Sequence, residues 1–390
     1  MSPQKIRIGL VGCGTRLRTV VKNLIGTSVA SQLEIVALYD PSLSSIETTQ
    51  RELAPAALVY STLEELLVAG DVDWVMIGSW NCFHADQIVA ALRAGKHIFA
   101  EKPLATTFEG CLQIRSALAE SPGSKFFFGL VLRYAPVYQQ IKQLLNQGVI
   151  GEPVSLEFNE TLDFNHGGYI HGNWRRHRDN AGTHLLEKCC HDFDIMNWLL
   201  GSVPVRAASF GGRDIFLPRN QSLQEGLAPN AQGLTPYQAW PDPDRVNPFS
   251  DGSSIVDNQV AILEYASGVR AAFHTNCHAA FPERRLSLLG TRGAIRADAA
   301  TGSIEWRRIG FEEATHVLRL SSSEGHYGAD QRMAEGLART MIGEAEPLAS
   351  LNEALAATIA CLGVDRALDA GTIYDLHLLW EQAGCHSYLG

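Results

Sequence analysis

A chain of 390 residues is longer than one ordinary hydrophobic core sustains, which predicts two or three domains. With 46% hydrophobic and 19% charged residues the composition is that of a soluble globular protein with ample core material. Its 42 acidic against 32 basic residues leave a net charge of −10, which excludes a long phosphate backbone, and so nucleic acid, as the expected partner; a locally basic pocket stays open.

The eight cysteines lack paired metal-type spacing, and Cys13, Cys111 and Cys361 sit in apolar stretches, as reduced thiols of a cytoplasmic protein would. Gly9, Gly12 and Gly14 interrupt the first apolar run, and no apolar stretch reaches the length of a membrane span. Neither export nor membrane attachment is expected.

"KIRIGLVG" reads as a strand buried on both faces. A glycine turn follows, and then "RLRTVVKNLIG" places Leu17, Val20, Val21 and Leu24 on one helical stripe. Strand, glycine turn and helix in this order are either an ordinary glycine turn, which is common between such elements, or a phosphate-binding element, in which the first glycine permits the turn and the second lets backbone approach a pyrophosphate. Gly12 and Gly14 fill those positions. The third glycine, whose job is close helix–strand packing, is replaced by Leu17, so the helix is expected to stand off a little further. Backbone N–H groups at the helix start can still hold an anion, and Arg16 could add a charge.

The next strand, "QLEIVALYD", ends in Asp40, where a carboxylate can accept both hydroxyls of an adenosine ribose and would repel a 2′-phosphate. This favours NAD over NADP; the alternative is that Asp40-Pro41 only starts a turn. "DWVMIGS" and "KHIFA" read as further strands around a helix "HADQIVAALRAG" closed by Gly95. Repeated units of this kind predict a doubly wound parallel sheet with ligands beyond the strands' carboxyl ends, where Ser79, Asn81, Glu101 and Lys102 fall. A lysine there, beside a cationic nicotinamide ring, would have its ammonium disfavoured and could polarise or deprotonate a substrate hydroxyl. The alternative is a surface lysine paired with Glu101.

"HGGYIHGNWRRHRDNAG" is either a solvated loop or a substrate loop whose Arg175, Arg176 and Arg178 recognise an anionic group, with Trp174 stacking on a sugar ring or filling a gap. The helical run "HLLEKCCHDFDIMNWLLG" places Glu187 and His191 one turn apart on one face, a carboxylate beside an imidazole, and Gly201 closes it. Cys189, Cys190 and His191 are sequence neighbours that point in different directions, so no metal is expected.

From Arg213 to Asp251 periodicity dissolves, with six prolines between Pro218 and Pro248, and an active-site lid or a subunit contact is expected. "NQVAILEYASGVRAAFHTNC" reads as a hairpin turning at Ala266-Ser267-Gly268, "FPERRLSLLGTRGAIRAD" as two more strands, and the tail as two helices and a short strand "TIYDL".

The glycine turn, Asp40, "SWNCFH", "AGKHIFAEKP", "GLVLRYAP", "GVIGEP" and the later histidine follow the order and spacing of the Gfo/Idh/MocA oxidoreductases, and from residue 5 to about 375 the chain resembles that family. The resemblance implies an NAD-binding Rossmann domain over 1–127 and, over 128–390, a C-terminal α/β domain with an open, mostly antiparallel sheet. It implies Lys102 and His191 as catalytic groups, with Glu187 standing where the family has aspartate. Cofactor contacts would come from Gly12, Gly14, Thr15, Arg16, Asp40, Ser79, Asn81, His84, Glu101 and Lys102. Substrate contacts would come from Arg133, Tyr134, Trp174, Arg175, Arg176 and His184. Trp80 departs from the family's T-P-N, as Leu17 departs from its third glycine.

The implied activity is oxidation of a secondary hydroxyl of a sugar, polyol or anionic sugar derivative by hydride transfer to NAD, in a dimer or tetramer built through the C-terminal sheet. Two alternatives stand beside it: an NAD-dependent glycosidase that oxidises, eliminates and re-reduces, with Tyr134 or His184 as its further acid–base group, and a non-enzymatic NAD-binding regulator.

Overall fold

The computed structural model describes residues 5–240, 245–321 and 325–385. The chain forms two compact units: Met1–Ala135 with Ser323–Thr358, and Pro136–Ser322 with Ile359–Gly390. The division thus falls at Ala135 rather than after residue 127, and the first unit is completed by a segment from late in the chain.

The first unit holds strands β1 (Ile6–Val11), β2 (Leu33–Tyr39), β3 (Leu58–Val59), β4 (Trp74–Ile77), β5 (His97–Ala100) and β6 (Phe126–Phe128). They form one all-parallel sheet in the order β3-β2-β1-β4-β5-β6. All four residues of β4 and the last four of β1 are buried, as strands covered on both faces require. The strand order reverses between β1 and β4, so the carboxyl ends of these two strands mark the crevice where such sheets hold ligands. Gly12 sits there with φ +84°, and a Cβ on it would lie 2.4 Å from the Ser79 nitrogen, so the turn after β1 needs glycine for its close approach to the end of β4.

The late segment is tied into this sheet by backbone bonding. The Phe128 N–H donates to the Ala349 carbonyl at 3.1 Å, and the helix Gly325–Met341 buries Met333, Ala334, Leu337 and Ala338. His326, Tyr327 and Gly328 at its start are left-handed, with φ 47°, 62° and 81°, so the regular helix begins after them.

The second unit holds β7 (Pro153–Asp163), β8 (Pro204–Gly212), β9 (Asn258–Tyr265), β10 (Arg270–Ala279), β11 (Arg285–Gly290), β12 (Gly293–Asp298), β13 (Ser303–Arg308), β14 (His316–Arg319) and β15 (Tyr374–Asp375). Their order is β14-β13-β12-β11-β7-β10-β9-β8-β15, with β7 and β10 parallel and the other pairs antiparallel. The β9–β10 hairpin turns where the sequence predicts, with Gly268 at φ +83°. Burial alternates along β9 and β10. The inner face packs on the helix Cys190–Leu200, where Phe193 meets Phe273 at 5.1 Å, while Phe210, Val260 and Ile262 lie exposed.

The aperiodic stretch after β8 is a folded lobe with its own core, although residues 241–244 within it lie outside the described residues. Phe216, Tyr237, Phe249 and Ile255 pack against Leu162, Ile170 and Cys277, and the Asp257 carboxylate accepts the N–H groups of Asp214, Ile215 and Phe216, each at 2.9 Å. The segment before it is more ordered than a loop: Asp163 caps a helix Phe164–His171 by accepting from Asn165 and His166. Cβ atoms on Gly167 and Gly168 would fall 1.9 and 2.0 Å from the carbonyl oxygens of Cys277 and Tyr237, so these glycines let β10 and the lobe close on that helix.

Candidate active site

In the first unit, the helix Thr15–Leu24 starts at Gly14 with no side-chain cap and no acidic residue in its first turn. A Cβ on Gly14 would meet nothing within 4 Å. The helix start is therefore an open cradle of N–H donors, and it fits the pyrophosphate of a dinucleotide. Leu17 is fully buried, and the room for it comes from Gly78 at the end of β4, where a Cβ would lie 2.8 Å from the Leu17 Cβ. The helix therefore does not rely on standing off: the small residue that close packing needs has moved to the neighbouring strand end.

Asp40 has a double role. Its carboxylate accepts from the Cys13 N–H at 2.6 Å and from the Ser42 N–H at 2.7 Å, so it starts its own turn and also fastens the glycine turn to the end of β2. Arg16 is paired with two carboxylates. Its guanidinium donates to Glu101 at 2.8 Å and to Asp330 at 2.7 Å, and against the desolvation of Asp330 by its own burial, His326 and Arg16 hold that carboxyl well below the usual carboxylate range. Glu101 also accepts from the Lys102 N–H at 3.3 Å. Ser79 bonds Gln87 at 2.6 Å, and Asn81 is buried. His84 lies fully inside, its ring nitrogens on the carbonyls of Pro103 at 2.7 Å and Ser79 at 3.2 Å. It joins the loops after β4 and β5, and burial lowers its pKa. Arg133 donates to the Leu348 carbonyl at 2.9 Å, and Tyr134 is buried, its phenol pushed up to about 12 by desolvation.

In the second unit the run bearing Glu187 and His191 is not one α-helix. Leu185–Cys189 is a π-helical turn, and the α-helix proper is Cys190–Leu200, closed by left-handed Gly201. π turns recur at functional sites. Thr183 anchors this one, its hydroxyl accepting from the Leu186 N–H at 3.2 Å and donating to the Asp365 carboxylate. Desolvation pushes Asp365 up to about 7. Glu187 accepts from Arg175 Nε at 2.8 Å, and that guanidinium lies 4.3 Å from the Trp174 ring centre and 4.8 Å from that of Tyr169. Glu187 and His191 are both buried.

The three loop arginines divide. Arg176 is buried, donating to the Ser250 hydroxyl at 2.8 Å, the Ser250 carbonyl at 2.9 Å and the Asp251 carbonyl, so it pins the lobe. Arg178 pairs with Asp369 at 2.7 Å. Arg175 alone among the three touches the turn before His191, with its charge balanced by Glu187. His184 is fully buried, 3.0 Å from the Thr275 hydroxyl and 3.7 Å from both Cys189 and Cys277.

Next to His191, Glu160, Cys189 and Asp192 offer ligand-type atoms within 4.8 Å of one another. A guanidinium already fills the cation role there, since Arg284 donates to Asp192 at 2.7 and 2.8 Å and lies 2.8 Å from Glu160. Burial raises the Asp192 pKa despite Arg284; against the same burial, Arg284 and Lys188 hold Glu160 below its ordinary value. Sequence reasoning missed Gly78, Asp330, Arg284 and the Thr183–Asp365 pair, and only Gly78, a glycine directly after an apolar strand, carried a local signal.

A parallel sheet whose switch point holds an uncapped, glycine-opened helix, with a carboxylate at the end of the next strand, defines a dinucleotide-binding protein. Residues 6–129 match the NAD-binding Rossmann fold of an oxidoreductase family and residues 142–360 match the C-terminal alpha/beta domain of the same family. The chain belongs to the Gfo/Idh/MocA family, and its cofactor is NAD.

Among curated relatives, it is 30% identical over 196 residues to an inositol 2-dehydrogenase/D-chiro-inositol 3-dehydrogenase of Shouchella clausii, covering 50% of this chain and 53% of that protein. It is 25% identical to the 2,7-anhydro-N-acetylneuraminate hydratase of Escherichia coli, over 83% of this chain and 72% of that protein. The match to the first relative thus spans about half of its length. The fold is that of scyllo-inositol dehydrogenase from Lactobacillus casei, solved with NAD(H) and scyllo-inositol: TM-score 0.74, 20% identity, 96% of this chain and 99% of that one.

Proposed function

We propose that the protein oxidises a secondary hydroxyl of a sugar or polyol in the cytoplasm. Lys102 and His191 take up the hydroxyl proton, and Glu187, locked by Arg175, fixes the turn that presents the imidazole. NAD supplies the hydride acceptor when bound, and the protein's part is to bind, orient and exchange the proton. One observation carries this reading: a family lysine at the carboxyl end of β5 occurs together with a buried histidine that follows a π turn. A regulator would need neither. With Arg176 and Arg178 committed to protein partners and Arg175 balanced by Glu187, the favoured substrate is uncharged. The exposed Phe210, Val260 and Ile262 on the second sheet suit pairing with another copy. The test is a screen of sugars, inositols and glycosides with NAD; stoichiometric NADH from a neutral polyol supports the proposal, and NADH from none of them overturns it.

The likeness to a hydratase favours a second reading, in which oxidation acidifies a neighbouring C–H bond, a group is eliminated and the hydride returns. That route needs a further acid–base group. Tyr134 is held protonated by burial, and His184 is enclosed by Thr275, Cys189 and Cys277, so neither suits the task. Many turnovers of aglycone release from a chromogenic glycoside on substoichiometric NAD would establish this reading instead.

A further inference from the structure

Trp240, in the aperiodic lobe, is 39% exposed although it belongs to a ring cluster. Its ring centre lies 4.4 Å from that of His166 and 5.1 Å from that of Tyr169, tilted by 40° and 49°. Tyr169 in turn carries the Arg175 guanidinium at 4.8 Å, and Arg175 is held by Glu187 in the turn that leads to His191. The contacts thus run from the proposed catalytic helix through Glu187, Arg175 and Tyr169 out to Trp240, all within one unit. The tilted neighbours meet Trp240 without stacking parallel to it.

We infer that Trp240 and Tyr169 form a subsite for the second ring of a neutral glycoside, next to the ring that is oxidised. Three properties of the shelf point to a sugar ring. Its surfaces are aromatic, as suits the apolar face of a pyranose, while the Tyr169 hydroxyl adds a group of hydrogen-bonding type. Arg175 is balanced by a carboxylate, and Arg245, beside Trp240, donates to the backbone carbonyls of Gln238 and Trp240, so both guanidinium groups are engaged within the protein. Trp240 also lies three contacts beyond Glu187, through Arg175 and Tyr169, at the exposed end of the line. The lobe's purpose is then specificity: Asp257 and Arg176 clamp it, and Gly167 and Gly168 let it seat on the helix bearing His166 and Tyr169.

This inference rests on the proposed sugar oxidation, and the test separates the two. The NAD-loaded full chain is titrated calorimetrically with the methyl glycosides of glucose, galactose and N-acetylglucosamine, and with their 4-nitrophenyl glycosides and disaccharides. NADH formation is recorded in parallel. For at least one sugar the two-ring form should bind tenfold or more tighter than the methyl form; Trp240→Ala should reduce that preference to within twofold, and Trp240→Phe should keep most of it. Equal binding of one-ring and two-ring forms, or a preference that survives Trp240→Ala, overturns the subsite. A preference lost in Trp240→Ala while no sugar yields NADH supports the subsite and refutes the dehydrogenase.

Discussion

Gly78 and Leu17 are complementary: a Cβ on the glycine would stand 2.8 Å from the Cβ of the leucine, and within 3.3 Å of its Cγ. The fingerprint's third glycine is absent, but its packing function is met from the opposite side of the same contact. Gly78→Ala should therefore cost about 1–3 kcal/mol by overpacking, read from urea unfolding of the full chain. Leu17→Gly in the Gly78→Ala background should recover part of the overpacking loss, giving a non-zero coupling in a double-mutant cycle. Strict additivity would remove the complementarity.

Asp40 should discriminate between cofactors. A carboxylate at the end of β2 repels a 2′-phosphate, so NAD should bind at least tenfold more tightly than NADP, a gap of about 1.4 kcal/mol. Asp40→Ala should narrow that gap. It should also weaken both cofactors, because the Cys13 N–H of the phosphate turn loses its acceptor. Calorimetric titration with each nucleotide reads both effects, and equal affinities in the wild type would end the assignment.

Lys102→Ala and His191→Ala should each lower kcat about a hundredfold or more and leave NAD affinity within a few fold, as expected of acid–base groups. The measurement is steady-state turnover on the best substrate from the screen, with cofactor binding measured separately. Near-normal turnover in either variant removes that residue from the mechanism.

Arg176→Ala should act on stability more than on substrate affinity. Its buried guanidinium serves half-buried Ser250 and exposed Asp251, so its loss removes charge-assisted bonds to acceptors that water can reach and should cost about 1–2 kcal/mol. Proteolysis should then cut the lobe between residues 213 and 257 sooner, while KM for a neutral sugar changes little. A KM effect without destabilisation would return Arg176 to the substrate.

Asp365 makes stability depend on pH in an uncommon direction. Its folded pKa, about 7, lies above its ordinary value of 3.8, so between those values the folded state holds a proton that the unfolded state has released. This contribution is full below the ordinary value and is lost as pH rises through 7. Asp365→Asn should flatten the fall in Tm between about pH 5 and pH 8. An unchanged slope would mean that Asp365 is ionised throughout that range.

Much of the first unit could be read from the sequence because each of its elements announces itself locally: an apolar run, a glycine, a stripe at helical spacing. The Gly12 turn and the Gly95 helix end lie where the residues predict, as do the Gly201 helix end and the Gly268 hairpin of the second unit. What stayed hidden depends on distant partners. Arg176 looks like an anion ligand until Ser250, 74 residues away, takes up its N–H donors. Arg16 looks free to reach a phosphate until Asp330 appears 314 residues later. The lobe has no period because its core is a few aromatics gathered from separate turns, and the π turn at Leu185–Cys189 has no residue signature of its own. A fingerprint read one residue at a time also misplaces a packing role that Gly78 fills from another strand.

The return of residues 323–358 to the first unit has a consequence for biogenesis. As the chain leaves the ribosome, the parallel sheet is finished by about residue 128, yet the Phe128 N–H awaits Ala349 and Arg16 awaits Asp330. The helix face formed by Met333, Ala334 and Leu337 is likewise still unmade. The nascent sheet must therefore persist with its edge unsealed while nearly two hundred residues of the other unit are synthesised. Chains stalled before residue 330 should be retained by chaperones, and release should follow synthesis of this last stretch rather than completion of the first sheet.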